Sequence, residues 1–277
     1  MPLNARRHIR KMRGGAQSHL IEAENGQYYV VKFQNNPQHR RILVNEWIAS
    51  IFVRHLQIST PETAIIRVSS EFLDQYPEVG IHLGSQRVRV KPGWHFGSRY
   101  PGDPDKVAVY DFVPDVLLKQ VINLAEFVGM LVIDKWMANA DGRQAVFFRA
   151  GSRAWPPREA GLPPRAGFVA QMIDHGFAFN GPHWDFPDSP VQGPYHRPLV
   201  YETVRRLEDF QPWLDQVMHF PDAVVDQAYK QVPLAWLEGE EQVLETLLEK
   251  LVQRRRRVPD LLLECRAAKP SLFPSWR

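Results

Sequence analysis

The sequence predicts an α+β fold of two lobes, with an antiparallel β-sheet in the first lobe and mainly helices in the second. Up to about residue 114, short apolar runs of strand type alternate with Pro, Gly and Asn-Gly turns, and one helical pattern interrupts them. Helical patterns prevail in the remainder of the chain. A chain of 277 residues with 44% hydrophobic content can also bury a full core. We therefore expect lobes at 1–114 and 115–277.

Composition and charge disfavour several classes of protein. The net charge is +3 and the basic residues are dispersed except at Arg254–Arg257, so there is no strong case for a nucleic-acid partner. Cys265 is the single cysteine, which excludes an internal disulfide framework and fits a reducing compartment. The basic N-terminus lacks the apolar stretch of a secretory signal, and the most apolar run, 128–133, is too short to span a bilayer. We expect a soluble, cytoplasmic protein.

Lys32 is the first residue with a candidate chemical role. Residues 13–19 form a glycine-containing turn, and Asn25-Gly26 between two strand-type runs predicts a β-hairpin directly after it. Alternation along the second strand places Lys32 on the same face as Tyr28 and Val30, among apolar neighbours. A lysine that extends its amine to solvent from a strand edge would explain the position as well.

The helical pattern at 42–56 offers a partner for this lysine. Glu46 lies there on a face of small and apolar side chains that does not suit a solvated carboxylate, so Glu46 needs a cation. Lys32 is the nearest one in sequence. A strand lysine paired with a helix glutamate is the arrangement by which kinases hold the lysine against nucleotide phosphates. A purely structural ion pair is the alternative.

Residues 62–114 are expected to complete the first lobe. The apolar runs that would extend its sheet are 64–68, 80–83 and 88–91. Residues 93–99 are expected to form a loop whose aromatic side chains pack on that sheet. The strand 107–114 ends at a proline before the helical half, where a two-lobed kinase has its hinge. Tyr110 in this strand would lie where the backbone pairs with adenine.

A buried helix is predicted to end at the first of two candidate site aspartates. Asn123 and Glu126 resemble a capping box, and the apolar residues behind them keep helical spacing. This helix would point its C-terminal end at Asn139 and Asp141. Asp141-Gly142 is also a common loop dipeptide, so the pair alone does not indicate catalysis.

The second aspartate, Asp174, follows a predicted pair of strands. Short apolar runs at 145–148 and 168–173 indicate these strands, and the second run ends at Asp174. Rigid elements thus direct Asp141 and Asp174 to one place. Phosphoryl transfer needs that arrangement, because one Asp orients the acceptor hydroxyl while a second Asp and an amide side chain hold magnesium on the phosphates.

Two irregular segments and a helical end complete the second lobe. The Pro-, Gly- and Arg-rich residues 149–167 are expected to form a surface loop. The Pro-rich residues 181–198 stand where a kinase has its activation and substrate segment. The helices predicted after them are 204–220, 222–231 and 240–257. Arg254–Arg257 would form a solvated run in the last helical turn, with binding of an acidic partner as the alternative.

Together these motifs resemble the HipA-like kinase family, specifically the compact bacterial proteins that contain the HipA-type kinase core without the larger toxin's N-terminal subdomain. The resemblance covers most of the chain, and the motifs stand in the same order. The matching residues are a glycine loop at Gly14-Gly15-Ala16-Gln17-Ser18-His19, a nucleotide lysine at Lys32, a helix glutamate at Glu46, a catalytic loop at Asn139-Ala140-Asp141, and a metal-binding turn at Asp174-His175-Gly176.

The resemblance implies a two-lobed protein-kinase-like fold and transfer of the γ-phosphoryl group of ATP to a hydroxyl. It further implies a Ser or Thr of a protein as the acceptor and Mg²⁺ as the cofactor. Asp141 would be the catalytic residue and Asp174 a metal ligand. The residues that it places at the nucleotide are Gly14, Gly15, Ser18, Lys32, Glu46 and the hinge residue Tyr110.

The catalytic loop departs from the family pattern, which has an Asn five residues after the Asp. Val146 stands there, and Gln144 is the amide that would replace the Asn as a metal ligand, with Asn139 as a weaker substitute. The departure favours a second interpretation, a catalytically weak nucleotide-binding protein that acts as a regulatory or interaction module. Such a module has little need of Asp141, whose presence favours the enzyme. A lipid or small-molecule kinase with the same core is a third interpretation.

Overall fold

The structure, a computed structural model, describes residues 1–150 and 167–277. The surface loop predicted at 149–167 therefore lies almost wholly outside the described residues.

Strands prevail in the first part of the chain and helices in the second, as the sequence predicts. The strands of the first part are β1 (Leu3–Lys11), β2 (His19–Ala23), β3 (Tyr28–Lys32), β4 (Thr63–Val68), β5 (Gly80–Leu83), β6 (Gln86–Arg89) and β7 (Gly93–Arg99). Its helices are α1 (Arg41–His55) and α2 (Ser70–Gln75).

A closed barrel forms the first part of the molecule, with strand order β1-β2-β3-β7-β4. Neighbouring strands are antiparallel except β1 and β4, whose parallel pairing closes the barrel. The predicted antiparallel sheet is confirmed at the other neighbouring pairs of barrel strands, and the β1–β4 pair is the exception. The sequence pattern does not indicate β1, because irregularities after Ala5 and His8 break its alternation and most of its side chains are polar or charged.

Residues 93–99 form a barrel strand and not the predicted loop. β7 pairs with β3 on one side and β4 on the other; Phe96 is buried, whereas Trp94 is 41% exposed. Gly97 is needed for packing, since a β-carbon there would lie 2.6 Å from Cγ1 of Ile66 on the neighbouring strand. β5 and β6 form a separate hairpin and do not extend the main sheet as predicted.

The second part of the molecule combines a small sheet with helices. Its strands are β8 (Val109–Tyr110), β9 (Gln144–Ala150) and β10 (Gly167–Ile173), in the order β10-β9-β8. β8 precedes the expected lobe boundary at residue 114 but pairs with β9 beyond it. The α-helices are α3 (Asp115–Leu118), α4 (Glu126–Trp136), α5 (Trp213–Met218), α6 (Asp222–Lys230), α7 (Leu234–Leu237), α8 (Glu241–Arg254) and α9 (Val258–Ala268).

The helices near the C-terminus are shorter than predicted. The predicted helix 204–220 is α-helical only over α5, because Pro212 lacks the N–H that a continuous helix needs at that point. The predicted helix 240–257 ends as an α-helix at Arg254 and continues as a single 3₁₀ turn. Among the described residues, no helix combines the length and apolar character needed to cross a membrane.

Helix α4 is buried along its whole length and fixes where the following loop lies. Asn123 does not cap this helix as predicted: its Nδ2 donates to Ala170 O at 2.8 Å and its Oδ1 accepts from Ala170 N at 2.9 Å, on β10. Glu126 accepts a hydrogen bond from the backbone N of Ser59 at 2.7 Å. These polar contacts tie the start of α4 to β10 and to the chain after α1. The main hydrophobic core lies between α1, α4 and the C-terminal helices.

Candidate active site

A cavity of about 590 Å³ lies between the barrel, α1 and the sheet of β8, β9 and β10. It is lined by all of the predicted site residues except Tyr110 and the alternative metal ligand Asn139. The predicted residues that line it are Gly14, Gly15, Ser18, Lys32, Glu46, Asp141, Gln144 and Asp174. Arg10, Lys11 and Arg13 add positive charge beside the glycine loop. The structure therefore brings together residues that are far apart in the sequence.

Tyr110 does not line the cavity, and its side chain is 47% exposed. Its neighbours Val109 and Asp111 do line the cavity, because successive side chains of an extended chain point to opposite sides. The chain leaves the barrel earlier, at the end of β7, and the next residues, Tyr100 and Pro101, also line the cavity. The segment predicted as a hinge thus reaches the cavity through residues other than the one predicted.

Lys32 is the centre of a charge cluster in the cavity. Its ammonium contacts Oε1 of Glu46 on α1 and lies 2.7 Å from Oδ1 of Asp174. Burial lowers the pKa of Lys32, but the two carboxylates outweigh burial and hold the pKa above its usual value. Lys32 is therefore a cation at neutral pH, and its charge is balanced by residues from two different elements.

Helix α1 is anchored so that Glu46 faces Lys32. The Arg41 guanidinium donates to both carboxylate oxygens of Glu240, at 2.6 and 3.0 Å. Asn45 Nδ2 lies 2.8, 2.9 and 3.0 Å from three backbone carbonyls in the chain that follows Asp174. Burial raises the pKa of Glu46, and the Lys32 ammonium opposes that shift. The part of α1 that precedes Glu46 is thus held by Glu240 and by the chain that follows Asp174.

The turn that contains Asp174 has a left-handed backbone, with φ of 59° at Asp174, which is uncommon for a residue with a side chain. Arg143 holds this turn, because its Nη1 donates to Ile173 O at 2.7 Å. Arg143 is itself buried against both carboxylate oxygens of Asp134 on α4. The Asp174 carboxylate remains 31% exposed, and the Lys32 ammonium lowers its pKa against the effect of burial.

His175 extends this network as a neutral side chain. Its Nδ1 lies 3.1 Å from Nη1 of Arg143, and its Nε2 lies 3.0 Å from Oγ1 of Thr60. Thr60 donates its proton to Met172 O at 2.9 Å, so we infer that it accepts from Nε2–H of His175. Burial, with Arg143 nearby, lowers the pKa of His175 well below its usual value. His175 therefore supports the turn at Asp174 through hydrogen bonds and adds no charge to the site.

Asp141 lies in the loop after α4, and its carboxylate is exposed towards the cavity. Asn139 holds this loop: its Nδ2 donates to Asp134 Oδ1 at 2.9 Å, and its Oδ1 accepts from the backbone N of Asp141 at 3.2 Å. Oδ1 of Asp141 accepts from the backbone N of Gly142 at 2.7 Å. Within the described residues, the second carboxylate oxygen of Asp141 has no hydrogen bond, so it can accept one from a bound hydroxyl group.

Of the two amides predicted as possible metal ligands, Gln144 lines the cavity and Asn139 does not. Gln144 is exposed and pairs with Ile173, the residue before Asp174, in the β9–β10 ladder. Asn139 is 2% exposed and bound to Asp134. The structure therefore places Gln144, and not Asn139, on the side of the cavity from which Asp174 projects.

The donor set suits a hard divalent cation whose coordination is completed by phosphate oxygens. Asp174 offers a carboxylate and Gln144 an amide oxygen. Mg²⁺ commonly binds one or two carboxylates together with substrate phosphates and keeps several waters, without a full cage of protein ligands. The described part of the chain holds no cluster of three or more His, Cys, Asp or Glu side chains suited to a metal.

The sequence analysis assigns no role to Arg143 or His175, although both lie beside predicted residues and His175 belongs to the turn that resembles the family's metal-binding motif. Arg143 stands in a polar loop without periodicity, where a buried arginine and a solvated one look alike. Asp134 is the residue from which a buried cation could have been predicted, because a carboxylate within a strongly apolar helix needs a cation, as Glu46 does. For His175 the sequence offers no comparable signal.

One comparison with known proteins shows the family, and another shows the fold. A family model described as HipA-like kinase matches residues 7–260. The crystal structure of the Golgi casein kinase with Mn/ADP bound is 12% identical, with a TM-score of 0.51, over 97% of this chain and 73% of that chain. A second Golgi casein kinase structure matches at 12% identity with a TM-score of 0.50, over 97% and 72% of the two chains. At 12% identity, the likeness to these structures shows a protein-kinase-like fold. A separate search of curated proteins found no significant match.

Proposed function

Because the chain belongs to the HipA-like kinase family, we propose that it transfers the γ-phosphoryl group of ATP to a hydroxyl, with Mg²⁺ as the metal. The proposed acceptor is a Ser or Thr side chain of a protein. One observation supports this proposal most directly: Lys32, Asp141 and Asp174 meet in one cavity although they come from three separate elements.

The cavity offers the groups that ATP requires. Its volume of about 590 Å³ lies within the range of roughly 300–1,000 Å³ typical of ligand sites. Gly14 and Gly15 bring backbone close to the phosphates, and Lys32 supplies the cation that pairs with them. The bound Mn/ADP of the Golgi casein kinase supports a nucleotide and a divalent metal as ligands of this fold.

The residues of this chain then take distinct roles in transfer. Asp174 and Gln144 would hold the metal, which when bound offsets negative charge on the phosphates. Asp141 orients the acceptor hydroxyl and takes its proton as that oxygen bonds to the γ-phosphorus. The bond from the γ-phosphorus to the bridging oxygen breaks, and ADP leaves with that electron pair.

Nucleotide binding would redistribute the ion pairs at Lys32. Without phosphate, Lys32 balances both Glu46 and Asp174. A phosphate gives Lys32 a new anionic partner, which releases the oxygens of Asp174 for the metal. Glu46 is buried and anchored, so it keeps Lys32 in place during this exchange.

A second proposal is a catalytically weak nucleotide-binding module. Val146 lines the cavity where the family has its metal-binding Asn, which favours weaker metal binding. The two proposals share the nucleotide site and differ in whether phosphate is transferred. Incubation with γ-labelled ATP and Mg²⁺, first for autophosphorylation and then with protein, lipid and small-molecule acceptors, tests the enzyme and its acceptor class.

Lys32→Met is expected to weaken ATP binding about 10- to 100-fold, since a charged hydrogen bond is worth about 1.5–3 kcal/mol. Glu46→Ala removes the anchor of Lys32 and should act in the same direction. The ligand-induced shift in melting temperature with ATP and Mg²⁺, taken against each variant's own ligand-free value, measures this. Lys230→Met, at the exposed end of α6, is the matched control. Wild-type shifts and full activity in both site variants would contradict the assignment.

Asp174→Asn is expected to remove the Mg²⁺-dependent part of ATP binding, because Asn keeps the shape of the ligand and loses its charge. The free energy of unfolding should change by no more than about 1 kcal/mol, since the ion pair with Lys32 is partly exposed and Glu46 still balances Lys32. Calorimetric titration of ATP at several Mg²⁺ concentrations measures the dependence, with the exposed Asp226→Asn as control. An unchanged dependence would place the metal elsewhere.

A further inference from the structure

Lys135 is a buried lysine that does not line the cavity. It lies in the last turn of α4 and is 3% exposed. Its ammonium donates to the carbonyl oxygens of Ser189 at 3.0 Å, Pro190 at 3.0 Å and Gln192 at 2.7 Å. An ammonium has three N–H groups, so one is available for each carbonyl.

The three carbonyls belong to an irregular segment, 188–194, that runs beside the catalytic loop. The backbone N of Gly193 donates to the carbonyl of Asp141 at 3.1 Å, and the backbone N of Arg143 donates to Pro194 O at 3.3 Å. The far end of the segment is therefore joined to the loop by main-chain hydrogen bonds. These hydrogen bonds place segment 188–194 beside Asp141.

A second anchor holds the near end of this segment. Nη1 of Arg254 donates to Oδ1 of Asp188 at 2.6 Å, and Nε of Arg257 donates to Oδ2 of Asp188 at 3.1 Å. Arg254 also donates through Nε to Trp136 O, the last residue of α4, at 3.1 Å. These contacts within the chain disfavour the alternative in which Arg254–Arg257 bind an acidic partner.

A buried lysine often does no more than satisfy nearby carbonyls, and burial lowers the pKa of Lys135. Its place on α4 indicates a further role. The preceding residue, Asp134, binds Arg143 and Asn139 and so fixes the catalytic loop from one side. Lys135 binds segment 188–194 from the other side. Adjacent residues of one helical turn thus set the position of both segments around Asp141.

We propose that Lys135 is a positioning residue for the phosphate acceptor, holding segment 188–194 beside Asp141 as the surface on which the acceptor chain binds. This proposal rests on the proposed kinase function. The residues that line the cavity include neither Lys135 nor any part of segment 188–194. Loss of Lys135 should therefore weaken acceptor binding and leave nucleotide binding unchanged.

The test compares full-length wild type, Lys135→Met, Asp188→Asn and the exposed control Lys230→Met. Hydrogen–deuterium exchange should become about tenfold faster in segment 188–194 of Lys135→Met and stay unchanged in Lys230→Met. With γ-labelled ATP and dephosphorylated casein as the probe acceptor, KM for casein should rise about tenfold while KM for ATP stays within about twofold. A general loss of structure would not be expected to raise KM for casein while leaving KM for ATP unchanged.

Unchanged exchange in segment 188–194 would overturn the proposal, and so would a KM for ATP that rises together with the KM for casein. Should Lys135→Met fail to fold, Asp188→Asn gives the same test at the other anchor, because Asp188 is 40% exposed and a neutral Asn there is expected to fold. If the wild type transfers phosphate to no acceptor, the proposed kinase function fails. The exchange comparison then still decides whether Lys135 holds the segment.

Discussion

Arg143→Met is expected to lower the free energy of unfolding by about 3–5 kcal/mol, because it removes one partner of a buried ion pair. The Asp134 side chain has no solvent exposure, and the substitution takes away both of its guanidinium contacts. Ile173 O loses its donor at the same time, directly before the left-handed turn at Asp174. We therefore expect phosphate transfer to fall together with stability.

A double-mutant cycle in urea measures this coupling. It comprises wild type, Arg143→Met, Asp134→Asn and the double variant. The double variant should lose less stability than the sum of the single variants, since a neutral Asn at position 134 needs no cation. Arg256→Met, at an exposed arginine, is the matched control. Additive losses would contradict a direct coupling between Asp134 and Arg143.

The pH dependence of the Arg143→Met variant follows from the sign of the shift at Asp134. Burial raises the pKa of Asp134, and the Arg143 guanidinium opposes that shift. Without Arg143, the folded state binds this proton more tightly than the unfolded chain, where the pKa of Asp is about 3.9. Stability then falls as pH rises from the unfolded to the folded pKa. The destabilisation should be smaller at about pH 5 than at about pH 7.5, and a pH-independent loss would contradict this account.

The contact between Lys32 and Glu46 illustrates what the sequence can predict. Each residue lies among apolar neighbours in a periodic element, so the period fixes the direction of its side chain. Two opposite charges directed into the same apolar region are expected to meet, and in the structure they do. For Asp134 the same reasoning predicts a cation, but its partner Arg143 comes from an aperiodic loop. Its identity depends on contacts that no local pattern contains.

Features set by distant strand pairing are harder to predict. The glycines of 93–99 suggest a loop, whereas Gly97 lies in a strand and is required there by close packing between β3 and β4. Because β7 is a strand, the chain leaves the barrel after Arg99, before the predicted hinge segment begins. Tyr110 was expected at the nucleotide because the strand 107–114 ends at a proline before the helical half; it is largely exposed and does not line the cavity.

Asp141→Ala is expected to lower turnover by about 10²–10⁴-fold, roughly 3–5 kcal/mol of activation free energy, with nucleotide affinity nearly intact. The expectation follows from the proposed role of Asp141, which orients the acceptor hydroxyl and takes its proton. Asn139 binds the backbone N of Asp141, so truncation of the side chain leaves the loop in place. Lys32 and Asp174 also keep their contact. The loss should therefore appear in the transfer step.

Single-turnover transfer from γ-labelled ATP, combined with calorimetric titration of ADP, separates this loss from a change in nucleotide binding. Asp226→Ala on α6 removes an exposed carboxylate remote from the proposed chemistry and is the matched control. Transfer at the wild-type rate in Asp141→Ala would contradict the proposed mechanism. A wild-type protein that binds ATP and Mg²⁺ but transfers phosphate to no acceptor, itself included, would favour the regulatory module, because the nucleotide site would then function without the step that Asp141 serves.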